Sequence, residues 1–586
     1  MSQAKQIVRL ARPIVDRALG LSALARIHES IRDCPGPEFI ERALETLDVR
    51  IDVDRADLER IPAEGSLVVV ANHPFGGIEG MVLAKLLLTR RPDVRLFANY
   101  FLGRIPELRE LFLLVDPFGG PESVRANLRA MREAIGWLAD DHVLALFPAG
   151  EVSHLNLRRR QVEDPPWLDT VEGLVRRSRA TVLPVYFPGR NSGRFQAAGL
   201  VHPRLRTVML GRELLRRRGR PIEARVGSPI PWRQLASHSA EGELTSYLRS
   251  RTYVLSERPP VAAGPVQPRV TPREVAPLAP PTPQQLIVDE VEGLPAESLL
   301  VDAGQEAVYV AAAPEIPNLL REIGLQRERT FREVGEGTGR EIDLDPFDRS
   351  YRHLFVWNRE QRELVGAYRI GLTDELLRDA GSERLYTSTL FDYRSQLFEA
   401  MGPGLEMGRS FIRPEYQKSY NALMLLWKGI GRMVLRHPDN ATLFGPVSIS
   451  ADYRSASQRL IVAFLEQNKF AHEWSQWVRP RTPRRATRTR GFRLEPDQLE
   501  NLEDVSSFIS EIEADHKGVP ILLRQYLKLG GRLLGFNVDP EFSNVLDVLI
   551  MVDLRRTAPK ILNRYMGREG ANRFQAHHAR HAPRAG

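Results

Sequence analysis

Nine prolines fall between positions 259 and 283, at 259, 260, 265, 268, 272, 277, 280, 281 and 283. Proline has no N–H to give a helix or a central strand, so no regular element crosses such a stretch. It reads as a polyproline-rich linker over 259–284, spanning at most on the order of 75 Å at ~3.1 Å per residue. With 586 residues the chain is also too long for one hydrophobic core. Two domains are therefore expected, 1–258 and 285–567, followed by a disordered basic tail over 568–586. In that tail His577, His578 and His581 have no metal-site partners in view, and no metal is expected anywhere.

Hydrophobic residues make up 42% and charged residues 27%, as in soluble globular proteins. The one cysteine, Cys34, excludes an intramolecular disulfide and a cysteine-built zinc site, and fits a reducing cytosol. The longest apolar runs, such as 111–115 and 422–427, fall far short of the roughly 18 residues of a membrane span. The N-terminus lacks a small-residue cleavage site after an apolar core and does not read as a signal peptide. A net charge of +8 favours anionic partners: lipid headgroups, nucleic acid or an acidic carrier protein. Seven arginines in 479–493 come without a nucleic-acid module and read as a solvated or lipid-facing loop. Residues 3–31 place Ile7, Leu10, Ile14 and Leu21 near helical spacing with basic residues between them. Such a helix lies in a bilayer interface or packs on its own domain.

From 66 to 255 strand and helix patterns alternate. Strands are expected at Leu67–Ala71, Val94–Ala98, Val143–Phe147, Thr181–Tyr186 and Ile222–Val226. Helices are expected at 79–89, 104–115, 122–139, 170–179 and 241–255. The alternation predicts an α/β domain with a mostly parallel sheet. The first strand ends abruptly in Asn72-His73-Pro74-Phe75-Gly76-Gly77-Ile78-Glu79-Gly80. Open α/β sheets place their sites at strand exits. A carboxylate beside a histidine fixes its tautomer and steadies the imidazolium while the ring takes a proton from a hydroxyl. The alternative is a packed His and a surface Glu. A second strand, Val143–Phe147, runs into Pro148-Ala149-Gly150-Glu151-Val152-Ser153.

Together the two turns resemble the glycerolipid acyltransferases, which carry Asn-His-x4-Asp and a later Phe-Pro-Glu-Gly-Thr-Arg-Ser. The likeness is nearest to the hemolysin-like branch of bacterial lipid acyltransferases, whose turn reads Asn-His-Pro-x-Gly-x-x-Asp-Gly. The resemblance implies His73 as catalytic base and Glu79, in place of Asp, as its partner. It also implies a substrate surface at Phe147, Pro148, Gly150 and Glu151, with backbone donors at Phe147–Gly150 for an oxyanion. Val182–Gly189 resembles the fourth block of that family, a wall of the acyl pocket. In the later motif Val152 replaces the arginine, whose planar fork suits phosphate. That loss, with the new acid Glu151, points to an amine-bearing acceptor without a phosphate there.

Beyond the linker the expected order is a helix (Pro314–Phe331), two strands (Leu354–Trp357 and Leu364–Ile370) joined by a turn, a strand (Leu405–Arg413) and a helix (Lys418–Leu435). That order resembles the GNAT N-acyltransferase fold, an α+β domain. Arg329-x-Phe331, Asp345-Pro-Phe-Asp348, Gly366-Ala-Tyr-Arg369 and Glu406-x-x-Arg409 are similar to the acyl-homoserine-lactone synthases, and 320–450 resembles the ornithine N-acyltransferases. The resemblance implies an amino acid site at Asp345, Asp348, Arg369, Glu406 and Arg409. Read from the residues alone, these charges hold a zwitterion or form a structural ion-pair network. At the donor loop, Gln417 and Lys418, Tyr420 stands where many GNAT members have glycine. This favours acyl carrier protein over coenzyme A as acyl donor, because backbone N–H groups reach a diphosphate less well.

Two such domains on one chain resemble the bifunctional ornithine-lipid synthases. The resemblance implies a cytoplasmic enzyme at the inner face of the membrane, with no permanently bound cofactor and no nucleic acid partner. The second domain would put a 3-hydroxyacyl chain on an amino acid, and the first would acylate the new hydroxyl. The alternatives are a 1-acylglycerol-phosphate acyltransferase with an accessory domain, and a hemolysin-like lipid-binding membrane protein.

Overall fold

The computed structural model describes residues 20–34, 36–116, 121–261, 275–418, 420–485, 494, 496–542 and 544–581. The chain divides into two compact units within the proline-rich stretch.

In the first unit, helices α1 (Leu21–Ile31) and α2 (Gly36–Thr46) precede an alternating run. It comprises β1 (Leu67–Ala71), α3 (Ile78–Leu88), β2 (Val94–Asn99), β3 (Phe112–Val115), α4 (Pro121–Ala139), β4 (Val143–Leu146), β5 (His154–Asn156), β6 (Gln161–Glu163), α5 (Thr170–Ser178), β7 (Thr181–Tyr186), α6 (Gly193–Val201), α7 (Pro203–Leu215) and β8 (Arg225–Val226). The six-stranded sheet has the order β8-β7-β1-β4-β2-β3, parallel throughout except for the antiparallel β8–β7 pair. Central β1 is buried at all five positions. A parallel strand covered on both faces is written as an unbroken apolar run, which is why Leu-Val-Val-Val-Ala forms it.

Three expectations change in this unit. Residues 104–115 are not one helix: short 3-10 turns lead into β3, which pairs with β2. Pro106 and the Phe-Leu-Leu-Val run favour that outcome. Residues 222–226 are not one strand: Ile222–Glu223 pairs with Ile51–Asp52, and only β8 joins the main sheet. Of the helix expected over 3–31, residues 21–31 form α1 and 1–19 lie outside the described residues. Among the described residues no helix is long and apolar enough to cross a membrane.

The second unit begins inside the proline-rich stretch. Residues 275–283 carry no regular element, yet the N–H groups of Ala276 and Ala279 donate to Gly339 O (2.9 Å) and Glu341 O (3.1 Å). Residues 262–274 lie outside the description. The unit is built from α8 (Gln284–Glu292), β9 (Leu299–Ala303), β10 (Glu306–Ala312), α9 (Pro317–Glu333), β11 (Arg352–Asn358), β12 (Glu363–Leu372), β13 (Gly404–Ile412), α10 (Tyr420–Arg436), β14 (Thr442–Ile449), α11 (Ser455–Asn468), β15 (Arg532–Asp539), β16 (Val545–Asp553) and α12 (Pro559–His581). The eight strands lie in the order β9-β10-β11-β12-β13-β14-β16-β15. Only β13 and β14 are parallel, and their registered pairing stops at Glu406 and Phe444 although both strands run on. Past that point no further residues of the two strands are registered as partners, although Gly445 still lies close against the Met407 backbone.

The tail expected to be disordered from 568 is helical to His581. Phe574 is buried, and His577 and His578 lie 2.7 and 2.9 Å from Asp439 Oδ1 and Pro438 O. An apolar anchor and these polar contacts hold what composition alone marks as loose. Of the arginine-rich 479–493, residues 486–493 lie outside the description, and Arg481 pairs with Asp392 at 3.0 Å.

Candidate active site

In the first unit β1 is flanked by β7 and β4, so the turn after Ala71 opens between two other strand exits. Asn72 ties that turn to the exit of β7. Its Nδ2 donates to Phe187 O at 3.0 Å, and Phe187 N–H donates to its Oδ1 at 2.7 Å. On the other side the Ser153 N–H donates to His73 O at 2.8 Å. Buried Asp164 joins both: its Oδ1 accepts the His73 N–H at 3.1 Å and the Ser153 hydroxyl, and its Oδ2 accepts Trp167 Nε1 at 3.0 Å. Burial pushes the Asp164 carboxyl up, against these hydrogen bonds. Asp164 thus fixes the main chain at His73 from ninety-one residues away, and only the local Asp-Pro-Pro-Trp turn chemistry marks it in the sequence.

Glu79 lies in the first turn of α3 with its side chain 0% exposed. Its Oε1 accepts the N–H groups of Phe75 and Gly76, each at 2.7 Å, and its Oε2 accepts that of Gly77 at 3.0 Å. Nδ1 of His73 is 3.0 Å from Oε1, a contact short of straight hydrogen-bond geometry. Burial pushes the Glu79 carboxyl up, but His73 and the backbone N–H groups outweigh it and hold the group below the usual carboxylate range. The His73 ring stacks on Phe147, with centroids 4.3 Å apart at 27°, and its side chain stays 18% exposed. With Nδ1 turned to the acid, Nε2 is the nitrogen left to work on a substrate. Gly76 allows the turn: its φ is +96°, and a Cβ there would lie 2.5 Å from Leu210 of α7 and 2.8 Å from Val152.

The later motif is divided. Phe147 stacks on His73, and Pro148 O accepts the Leu168 N–H at 3.0 Å. The Gly150 N–H closes a turn onto Phe147 O at 3.0 Å, so it is committed within the fold. Glu151 is exposed and pairs with Arg206 of α7 at 3.3 Å, so this acid does not face an acceptor alone.

The second unit holds a chain of buried ion pairs. Arg327 of α9 forks onto Asp348 at 3.2 and 3.0 Å and donates Nε to Asp343 at 2.9 Å. Arg369 meets Asp345 at 2.6 Å and Asp348 at 3.3 Å, and Arg409 meets Asp345 at 3.5 Å. The two cations hold Asp348 well below the usual range despite burial. Arg327, not Arg329, anchors the helix to this network. Arg329 pairs with Glu415 near the surface.

Glu406 is spent inside the fold. It accepts the Tyr351 hydroxyl and the N–H groups of Tyr386 (3.2 Å) and Thr387 (2.7 Å), and burial raises it. Arg409 differs. It sits at the β12–β13 register shift with φ +51°, a strained conformation, and its buried Nε has no partner. Its guanidinium lies 4.0 Å over the Phe542 ring and 4.9 Å over Tyr386. Buried acids stand nearby: Asp539 on β15, and Asp547 on β16 opposite Ser448. Glu336 accepts the Ser448 hydroxyl at 2.7 Å. Burial and mutual repulsion raise Asp547 well above the carboxylate range, and burial pushes Glu336 up to about 7. Gln417 and Lys418 are exposed at the start of α10, where Gln417 donates to Ile412 O at 2.9 Å.

Comparison with known proteins divides along the same line. Residues 2–261 match the family described as Acyltransferase, and 326–428 match the Acetyltransferase (GNAT) domain. The chain is similar to a glycine N(alpha)-acyltransferase of Bacteroides thetaiotaomicron, 30% identical over 276 residues, which is 43% of this chain and 80% of the relative. It is also similar to a lyso-glycine lipid O-acyltransferase of that organism, 30% identical over 236 residues, 38% of this chain and 82% of the relative. An L-ornithine N(alpha)-acyltransferase of Brucella abortus is 28% identical over 239 residues, 40% of this chain and 76% of the relative.

Proposed function

The chain belongs to the acyltransferases of aminolipid synthesis, with an acyltransferase domain ahead of a GNAT domain, and from this premise we propose that it makes a diacyl aminolipid in two steps. The second unit transfers a 3-hydroxyacyl group from a thioester to the amine of ornithine, glycine or a related amino acid. The first unit then esterifies the 3-hydroxyl of that lyso-lipid. The His73–Glu79 pair at the exit of the central strand carries this reading.

In the second step Nε2 of His73 removes the hydroxyl proton as the oxygen attacks the thioester carbonyl. Collapse of the tetrahedral intermediate breaks the C–S bond, and the imidazolium returns its proton to the leaving thiolate. Glu79 stays ionised throughout and holds the ring. In the first step the partner-free Nε of Arg409 would take the amino acid carboxylate, and Asp539 and Asp547 would hold its amine and take up the proton that the nitrogen loses as it attacks the thioester carbonyl and the C–S bond breaks. The segments of β13 and β14 beyond their registered pairing would receive the amide-rich arm of the donor, with acyl carrier protein as the preferred donor. The chain would work as a peripheral protein on the inner face of the membrane.

Expression in a host that lacks aminolipids, followed by lipid mass spectrometry, tests the proposal. The wild type should give a mono-acyl amide and its O-acylated product, and Arg409→Ala should give neither. Restoration of phosphatidic acid synthesis with no amino acid-containing lipid would refute it.

A further inference from the structure

The helical hairpin α6–α7 sits over the catalytic turn and leaves its own tip bare. Leu210 and Leu214 of α7 lie against Gly76 and Gly77, beside His73. Leu200 and Val201, at the end of α6, and Leu205 and Val208, in α7, are 43 to 80% exposed. The β5–β6 turn is tied to this hairpin, because the Leu155 N–H donates to Gln196 Oε1 at 2.9 Å. That turn presents Leu157, 66% exposed, followed by Arg158, Arg159 and Arg160. Arg206, near the tip, pairs with Glu151 at 3.3 Å, and the arginines at 216–220 lie at the far end of α7 or beyond it, so among the described residues the exposed positive charge beside the tip is that of the β5–β6 turn.

Clustered bare aliphatic side chains beside an exposed run of three arginines fit one kind of partner best. A water-exposed face has no use for four neighbouring aliphatics, and a nucleic acid would ask for aromatic stacking or hydrogen-bonding side chains. An anionic bilayer takes both features: the aliphatics enter the acyl boundary and the guanidinium groups meet the headgroups. We propose that the tip of α6–α7, with the β5–β6 turn beside it, is the surface by which the first unit sits on an anionic membrane. This rests on reading that unit as a lyso-lipid O-acyltransferase, whose acceptor lies in the bilayer. Because Leu210 bridges the hairpin to the His73 turn, docking the tip brings the catalytic histidine to the interface. The lyso-lipid hydroxyl then reaches it without leaving the membrane completely.

The test uses the full chain and vesicles of phosphatidylglycerol with phosphatidylethanolamine, against vesicles of phosphatidylcholine alone. Cosedimentation should show the wild type on the anionic vesicles. Leu205→Glu/Val208→Glu should lower its partition by about tenfold or more. The same variant should acylate detergent-dispersed lyso-lipid at the wild-type rate, and Leu286→Glu, at an exposed site of the second unit, should bind vesicles normally. Hydrogen exchange on the unaltered protein should show vesicle-dependent protection of 197–210. Unchanged partition of the double variant, or no protection of 197–210, would overturn the assignment. So would a dimer that the double variant dissolves, since a second copy would then cover the tip. Wild-type failure on detergent-dispersed lyso-lipid would count against the enzymatic reading instead, and leaves the vesicle result to be judged by itself.

Discussion

Nδ1 of His73 stands 3.0 Å from Oε1 of Glu79, and that same carboxylate accepts the N–H groups of three consecutive residues, Phe75, Gly76 and Gly77. The acid therefore shapes the turn that carries its histidine as well as orienting the ring. Replacing Glu79 by Gln removes the charge facing Nδ1 and turns an amide N–H₂ toward one or more backbone donors. O-acylation by Glu79→Gln should fall by about 10²- to 10⁴-fold in kcat. Thiol release from an acyl thioester, followed with a lyso-aminolipid acceptor, measures it. Retention of more than a tenth of the wild-type rate would contradict the assigned role.

The same carboxylate predicts an acid-side loss of stability. Its folded-state pKa lies below the ordinary 4.5, so its contribution is fully present above about pH 4.5 and is lost as the pH falls through the lower, folded value. The gap in urea midpoint between wild type and Glu79→Gln should be widest at neutral pH and should narrow below pH 4. A gap that does not change with pH would contradict it.

Glu336 runs the other way. Burial pushes it up from 4.5 to about 7, so the folded protein holds a proton there that the unfolded chain has lost. Stability falls as pH rises from 4.5 to about 7, and the cost stays above that. Glu336→Gln should be more stable than the wild type at pH 8 and lose that advantage by pH 4.5. Thermal midpoints at the two pH values decide the matter.

Two arginines on one helix should behave differently. Arg327 is buried between Asp343 and Asp348, whereas Arg329 meets Glu415 at the surface. Arg327→Ala leaves buried carboxylates uncompensated and should cost about 3–5 kcal/mol. Arg329→Ala should cost no more than about 1 kcal/mol. Denaturant unfolding of both variants checks the contrast.

Much of the site was legible because its signals are local. The run Leu67–Ala71 had to be a central strand, and His73 with Glu79 lies within one turn of its end. What was missed acts at long range or depends on phase. Asp164 reaches His73 through the backbone across ninety-one residues, and no spacing rule reports such a bond. Arg327 rather than Arg329 faces the core, a difference of two residues that on a helix turns the side chain to the other side. Glu406 shares a motif with Arg409 and reads in sequence as a substrate ligand, yet its oxygens are taken by Tyr351, Tyr386 and Thr387. The hairpin α6–α7 went unread, because apolar residues on its exposed tip blur the periodicity that marks a helix.

The most direct measurement is made on His73 itself. Purified wild type and His73→Ala are given a synthetic N-(3-hydroxyacyl) amino acid and an acyl thioester, and the O-acylated product is counted by mass spectrometry. The variant should form at least about 10³-fold less product while still making the mono-acyl amide from the free amino acid. O-acylation at the wild-type rate by His73→Ala would contradict the proposed chemistry of the first unit.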